Sequence, residues 1–441
     1  MTKKLSRRDF VKTGAAVSAA VLASTAPRVH AGENNLLRIG MVGCSGRGRG
    51  AILNAFEADP NCKLVAVGDV LPDRTKGTVE LFQKVKPDRV DIKPDHVFVG
   101  LDCCKDVAQV CDVVFSVEIP AFRPWTIKAA VEAGKHIFAE KPAAVDALGV
   151  KVAQAACDEA KKKKLNLVSG LCWRYDPELQ EVMKRIHDGL IGDIVTVREC
   201  LLTQHGFKRP TAQGDTAMQR EIRAWYNLRW LSGDFIVEQT VHAIDKGLWA
   251  LGDKFQPLSA FGVGGRMSRT AQPERGDIYD SMGVGYNMAE GRTMNTFCRQ
   301  QQNCWYEYDG YVVGTKGYTN TVGKTVVMCD LNGKVLFEQK RQRLKSSYVE
   351  EQRALFTAIR SGGSQYVNNG DYMCRATMAA ILGREAVYSG KLLTWEEATQ
   401  TGGIDLSKLN LNSEPPVKPD EKGRFKIPVP GLGEVWHTVV R

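Results

Sequence analysis

Apolar and polar positions follow two different rhythms along the chain. Up to about residue 170, short unbroken apolar runs at 36–42, 63–68, 113–117, 136–139 and 165–171 alternate with helical patterns opening at Ala51 and covering 125–133 and 145–164. Runs with no polar alternation are buried on both faces, as in a parallel sheet covered by helices. Beyond that point the apolar segments shorten and alternate. Residues 194–199, 259–263, 282–286, 293–298, 311–313 and 325–328 read as strands separated by Gly, Asn and Asp turns, predicting a large, mostly antiparallel sheet open on one face. Helical spacing recurs at 237–251, 348–361 and 372–389, and 411–430 is Pro-rich and charged, as in an extended arm. The expected class is α/β: an N-terminal doubly wound parallel sheet (32–164), a C-terminal α+β domain (165–403) and a tail (404–441), after a leader at 1–31.

The leader changes the charge picture. Six Lys/Arg against one Asp in residues 1–31 supply half of the net +10, and the remainder is too little to imply nucleic acid. Arg7-Arg8 with Phe10 and Lys12, an apolar stretch and the small-residue site Val29-His30-Ala31 read as a twin-arginine export signal, so the export machinery is an expected partner and the periplasm the expected destination. No apolar run after residue 31 reaches the about 20 residues that span a bilayer. The 12 cysteines have irregular spacing and no Cys-x-x-Cys, and read mainly as small buried apolar residues. Zinc is not expected, although Glu238, His242, Asp245 and His205 are conceivable ligands.

The first apolar run ends in Gly43-Cys44-Ser45-Gly46-Arg47-Gly48, and the second ends at Asp69, 21 positions beyond Gly48. This is the dinucleotide layout, with Ser45 at the second glycine: the loop lets backbone approach a pyrophosphate at a helix N-terminus, and Asp69 accepts from ribose hydroxyls. An acid there repels a 2′-phosphate, so NAD is favoured. Glu140 and Lys141 fall at a strand end, where such sheets hold ligands.

The glycine loop, Glu132-Ala-Gly-Lys-His136 and Glu140-Lys141-Pro142 resemble the Gfo/Idh/MocA family of glucose-fructose oxidoreductases and inositol dehydrogenases. Cys172-Trp-Arg-Tyr-Asp-Pro177 and the segment from Ser232 to Asp245 are similar to its secreted members. The resemblance implies a Rossmann domain binding NAD through Gly43, Ser45, Gly46, Arg47, Gly48, Asp69, Glu140 and Lys141, and pairing of open sheets into a homo-oligomer. It also implies His242 as the base for a secondary alcohol, Glu238 in place of the usual Asp as its partner or a substrate ligand, and Lys141 holding the hydroxyl. On a helix, Glu238, His242 and Asp245 would share one face. Trp173, Arg174, Tyr175 and Tyr226, with Asp245, are candidate walls of a sugar or polyol site, where aromatic faces cover C–H groups and Arg donates to hydroxyls. At Glu118-Ile-Pro-Ala-Phe-Arg-Pro124 the chain departs from many relatives, which carry Thr-Pro and histidines there.

Free NAD is scarce outside the cytoplasm, so the expectation is a tightly held, internally recycled cofactor. It would serve oxidation and reduction of a sugar, polyol or glycoside. NAD-dependent glycoside cleavage through transient oxidation and a non-catalytic NAD- or sugar-binding protein are the alternatives.

Overall fold

The computed structural model describes residues 35–204, 212–268 and 275–432; the export signal and His205 lie outside them. Six strands form the first sheet: β1 (Leu37–Val42), β2 (Cys62–Asp69), β3 (Val97–Val99), β4 (Val113–Ser116), β5 (His136–Ala139) and β6 (Leu167–Ser169). Their spatial order is β3-β2-β1-β4-β5-β6, and all pairings are parallel. The order reverses between β1 and β4, and a crevice opens there at the strand C-termini. Alternate side chains feed two cores. Ile39 and Met41 pack with Ala51, Ile52 and Ala55 of the helix Gly46–Ala58, whereas Val42 and Val114 belong with Val107 and Ile127 on the other face.

The helix Ser347–Arg360 returns to this sheet from late in the chain: Leu355 and Phe356 join the first of these cores, and the Phe356 ring lies 6.4 Å from Phe115. Its sequence pattern shows an apolar face without showing which sheet that face covers.

The second sheet contains β7 (Ile194–Thr203), β8 (Pro257–Gly265), β9 (Ser281–Met288), β10 (Thr293–Gln300), β11 (Gly310–Gly314), β12 (Gly317–Asn320), β13 (Thr325–Asp330), β14 (Val335–Lys340) and β15 (Leu393–Thr394). The order is β14-β13-β12-β11-β7-β10-β9-β8-β15, antiparallel except between β7 and β10. The helices Val241–Leu251 and Gly370–Ser389 pack on it, while Val195, Phe261, Val263 and Phe297 remain exposed. Residues 404–432 run with one short turn from the first half, where the Ile404 N–H bonds Asp146, to the second, where Pro428 accepts from Tyr279, burying Ile404, Leu406 and Phe425.

One expected element is divided. The helical stretch 237–251 is two helices, Phe235–Glu238 and Val241–Leu251, separated by Gln239 and Thr240. Asp234, at φ 71°, caps the first through a bond from the Phe235 N–H, and its other oxygen accepts the Tyr279 N–H at 2.9 Å. That anchor fixes where the short helix begins.

Candidate active site

Three adjoining cavities run from the crevice between β1 and β4 toward the second sheet. The first is lined by Gly43, Ser45, Asp69 and Arg74, and closed on one side by Leu406 and Leu409 of the C-terminal segment. The second, about 360 Å³, is lined by Arg47, Glu140, Lys141, Tyr226, Glu238 and His242. The third, about 400 Å³, is lined by Trp173, Tyr308 and Arg341 among others. Ser45, Glu118 and Ile119 border the first two, and Gln239, His242 and Tyr348 border the last two, so each cavity adjoins the next.

The glycine loop fits a dinucleotide. Gly43 has φ 103°, and a Cβ there would meet the Glu118 backbone at 2.4 Å; a Cβ at Gly48 would lie 2.1 Å from the Gly43 carbonyl oxygen. These two glycines let the loop pack against its own helix and the end of β4. At Gly46 a Cβ would meet nothing within 4 Å. The helix Gly46–Ala58 begins there with no side-chain cap and no acid in its first turn, which leaves its N–H groups for an anion. Asp69 is buried, accepting the Cys44 N–H at 2.7 Å and the Leu71 N–H at 2.9 Å, with Arg74 at 4.0 Å. It holds the loop as well as facing the cavity. Burial raises its carboxyl pKa, against the pull of Arg74 and the two N–H bonds.

At the other end of the loop, Arg47 forms an ion pair with buried Glu140 and stacks 4.6 Å above the Tyr348 ring. Burial opposes ionisation of Glu140, but Arg47 and then Lys141 outweigh it and hold the carboxyl below its ordinary range. Glu351, 3.7 Å from Arg47, is pushed well up by burial and by Glu140.

The next residue, Lys141, reaches across to the second half of the molecule. Its Nζ donates to the Glu238 carbonyl at 2.5 Å and to Glu238 Oε1 at 2.9 Å. The helix break makes the first bond possible: the His242 N–H turns to the Gln239 carbonyl, leaving that of Glu238 for the lysine. Glu238 and His242 therefore do not share one continuous helical face, yet both line the second cavity. The His242 imidazole is pushed well below 6.5 by burial, then by Lys141, Arg47 and Lys246, and its Nδ1 has no hydrogen-bond partner among the described residues.

Among the expected substrate residues, Tyr226 lines the second cavity and Trp173 the third. Arg174, Tyr175 and Asp245 line neither. Arg174 is locked to Asp245 at 2.9–3.2 Å and to Asp253 at 3.0 Å, over the Tyr372 ring at 4.1 Å. Tyr175 donates to Asn369 at 2.7 Å. An alternating aromatic and basic segment carries the same signal whether it faces ligand or core; here the guanidinium clamps the turn Cys172–Tyr175 to the helix that carries His242. Sequence reasoning passed over Arg123 as a site residue. It is 2% exposed and donates to the carbonyls of Glu118 and Pro142, tying the end of β4 to the Glu-Lys-Pro segment, whose Lys141–Pro142 bond is cis. The only cue was an arginine at the start of an apolar helix.

Residues 37–170 match the family model described as "Oxidoreductase family, NAD-binding Rossmann fold", named for GFO, IDH and MocA. That stretch thus matches the NAD-binding domain of the Gfo/Idh/MocA oxidoreductase family. The chain is an NAD-dependent oxidoreductase, and residues 4–24 match the twin-arginine translocation signal, which directs export. Inositol 2-dehydrogenase of Rhizobium meliloti is 23% identical over 351 residues, covering 78% of this chain and 94% of the relative. A dTDP-3,4-didehydro-2,6-dideoxy-alpha-D-glucose 3-reductase of Actinomadura kijaniata is 27% identical over 43% of this chain and 51% of its own length. Among solved structures, scyllo-inositol dehydrogenase from Lactobacillus casei with bound NAD(H) and scyllo-inositol superposes with a TM-score of 0.61. It is 19% identical, over 82% of this chain and 99% of that one. The aldose-aldose oxidoreductase from Caulobacter crescentus, complexed with glycerol, gives 0.61 at 18% identity, over 81% and 99%. The chain thus shares the fold of both halves with these solved structures, and the cofactor is NAD.

Proposed function

We propose that this protein oxidises and reduces a secondary alcohol of a sugar, polyol or glycoside in the second cavity, using NAD held along the glycine loop. The observation that carries this is the junction of Lys141 from the first half with Glu238 and His242 from the second in one cavity bordering that loop. The loop N–H groups, Gly43, Ser45, Gly46, Arg47, Gly48 and Asp69 would hold the dinucleotide, with Glu140 and Lys141 at its nicotinamide end. Bound there, NAD supplies the acceptor for the hydride leaving the carbinol carbon. Lys141 has one N–H left after its two bonds to Glu238, and donates it to the alcohol oxygen. His242, neutral at ordinary pH, accepts the hydroxyl proton. Glu238 fixes the ammonium through both its carbonyl and its carboxylate. Tyr226 offers the sugar an apolar face.

Export and the shape of the first cavity favour a retained cofactor. Leu406 and Leu409 close that cavity, and an exported enzyme that released NADH at each turnover would have little NAD outside the cytoplasm with which to continue. The reading is therefore a periplasmic enzyme that recycles its NAD between one sugar and another. The exposed apolar residues of the second sheet suit a second copy of the chain as partner.

The test is to denature the protein purified from its export fraction, assay for released NAD, and screen free sugars and glycosides for the NADH absorbance band with the loaded protein. Stoichiometric NAD and a sugar-dependent band are expected. Cleavage of a glycoside without a lasting band would instead favour transient oxidation, and a folded protein that binds neither NAD nor sugar would overturn the reading.

A further inference from the structure

The charges of the second cavity are matched: Arg47 faces Glu140, Lys141 faces Glu238, and Arg123 holds the Glu118 backbone. Those of the third are not. The segment following β14 brings Arg341, Arg343 and Lys345 to its wall, which Trp173 and Tyr308 also line. Its acid, Asp176, is already paired with Arg341, and nearby Glu178 is spent on Arg341 Nε at 3.1 Å and on the N–H groups of Gln342 and Arg343. Arg343 and Lys345 have no ion-pair partner among the described residues.

Exposed cations alone are often only solvated, but Arg341 is different. Its side chain is 2% exposed and lies 5.5 Å from the Trp173 ring, yet its Nη1 has no hydrogen-bond partner among the described residues. A buried guanidinium N–H without an acceptor is costly unless something supplies one. An aromatic wall also stands beside these donors: Trp173 Nε1 donates to the Tyr308 hydroxyl at 2.6 Å, and the rings meet edge to face at 5.5 Å. His242 and Gln239 border this cavity and the second, so a ligand group here would be attached to whatever reacts beside His242. The second and third cavities both fall within the range of about 300–1,000 Å³ usual for small-molecule sites.

We propose that the third cavity binds an anionic group, a carboxylate or a sulfate or phosphate ester, carried by the carbohydrate whose alcohol reacts in the second, so that acidic sugars are the preferred substrates. This rests on the dehydrogenase reading for the position of the reacting alcohol and adds the substrate class. Arg341, Arg343 and Lys345 donate to the anion, and Trp173 and Tyr308 pack against the attached ring.

The test is calorimetric titration of the mature, NAD-loaded protein with D-glucuronate, D-glucose 6-sulfate and D-glucose. At least one anionic probe should bind about tenfold or more tightly than glucose at low salt, and the preference should shrink as sodium chloride is raised. Binding of glucuronate alone assigns the group as a carboxylate, binding of the sulfate alone as an ester, and binding of both as charge in either form. The double variant Arg343→Gln/Lys345→Gln, in exposed side chains that the core does not need, should reduce the preference to about threefold or less. Lys76→Gln/Lys162→Gln removes the same charge elsewhere and should leave the preference intact. Glucose binding as tightly as both anions, no heat from either anion, or a preference that survives the double variant would overturn the proposal. Heat from an anionic probe without any NADH band would leave this cavity assigned and count against the dehydrogenase reading.

Discussion

Lys141 and His242 differ in what keeps each of them useful. The lysine is held as a donor by two oxygens of one residue, while the imidazole is kept a base by being denied a proton. Lys141→Met should leave the protein folded and lower sugar-dependent reduction of the bound cofactor about 100-fold or more, checked by single-turnover absorbance. The pH dependence follows from the direction of the histidine shift. Burial first, then Lys141, Arg47 and Lys246, push the imidazole well below 6.5, so it remains a free base as the pH falls through that value. The acid limb of kcat/KM due to this group should therefore lie below that of an ordinary histidine. In Lys141→Met, one positive neighbour is gone, and an NMR titration should find the imidazole pKa moved upward. At this scale the sequence led to the cavities where a residue sits at a strand end or beside a motif, as for Asp69, Lys141 and His242, which line them. It misled at Arg174, Tyr175 and Asp245, because residue type does not say whether a polar side chain meets ligand or another side chain.

Among the elements, three local arrangements position the site: the glycine loop, the helix break at Gln239 and the turn Cys172–Tyr175. The loop's glycines have separable tasks. Gly48→Ala should destabilise the protein itself, since the new methyl would meet the Gly43 carbonyl at 2.1 Å, whereas Gly46→Ala should fold normally and bind NAD more weakly. Thermal unfolding with and without added NAD distinguishes them. Arg174→Ala should cost about 3–5 kcal/mol of stability by leaving Asp245 buried and unpaired. A variant with unchanged unfolding and only a raised KM would make Arg174 a substrate ligand instead. Most strands of both sheets were legible from their apolar runs. β14 was not, because it is an edge strand with mostly exposed residues; β12 and β15 span only four and two residues, and β3 has three, none of them buried. The helix Pro72–Val85 buries just Thr75, Thr78 and Phe82, which is too little apolar pattern to read. The break at Gln239 escaped notice because helical spacing continues across it.

For the molecule as a whole, the account joins an exported chain to a cofactor that stays in place. The segment after residue 403 bears on this directly, since Ile404 is tied to Asp146 by its N–H at 3.1 Å and the two leucines that follow close the first cavity. Leu406→Ser/Leu409→Ser should speed NAD release about tenfold or more, followed by stopped-flow fluorescence, with little change in the spectrum of the folded protein. Release as slow as in the parent protein would remove this segment from the explanation of retention. Everything else depends on where the nicotinamide lies, and a crystal structure of the protein with bound NADH examines that most directly. The account predicts the ring in the second cavity, with Lys141 Nζ and His242 both facing the place where an alcohol oxygen would stand, about 3–3.5 Å from the groups that act on it. A ring bound elsewhere, or Lys141 and His242 turned away from it, would contradict the account.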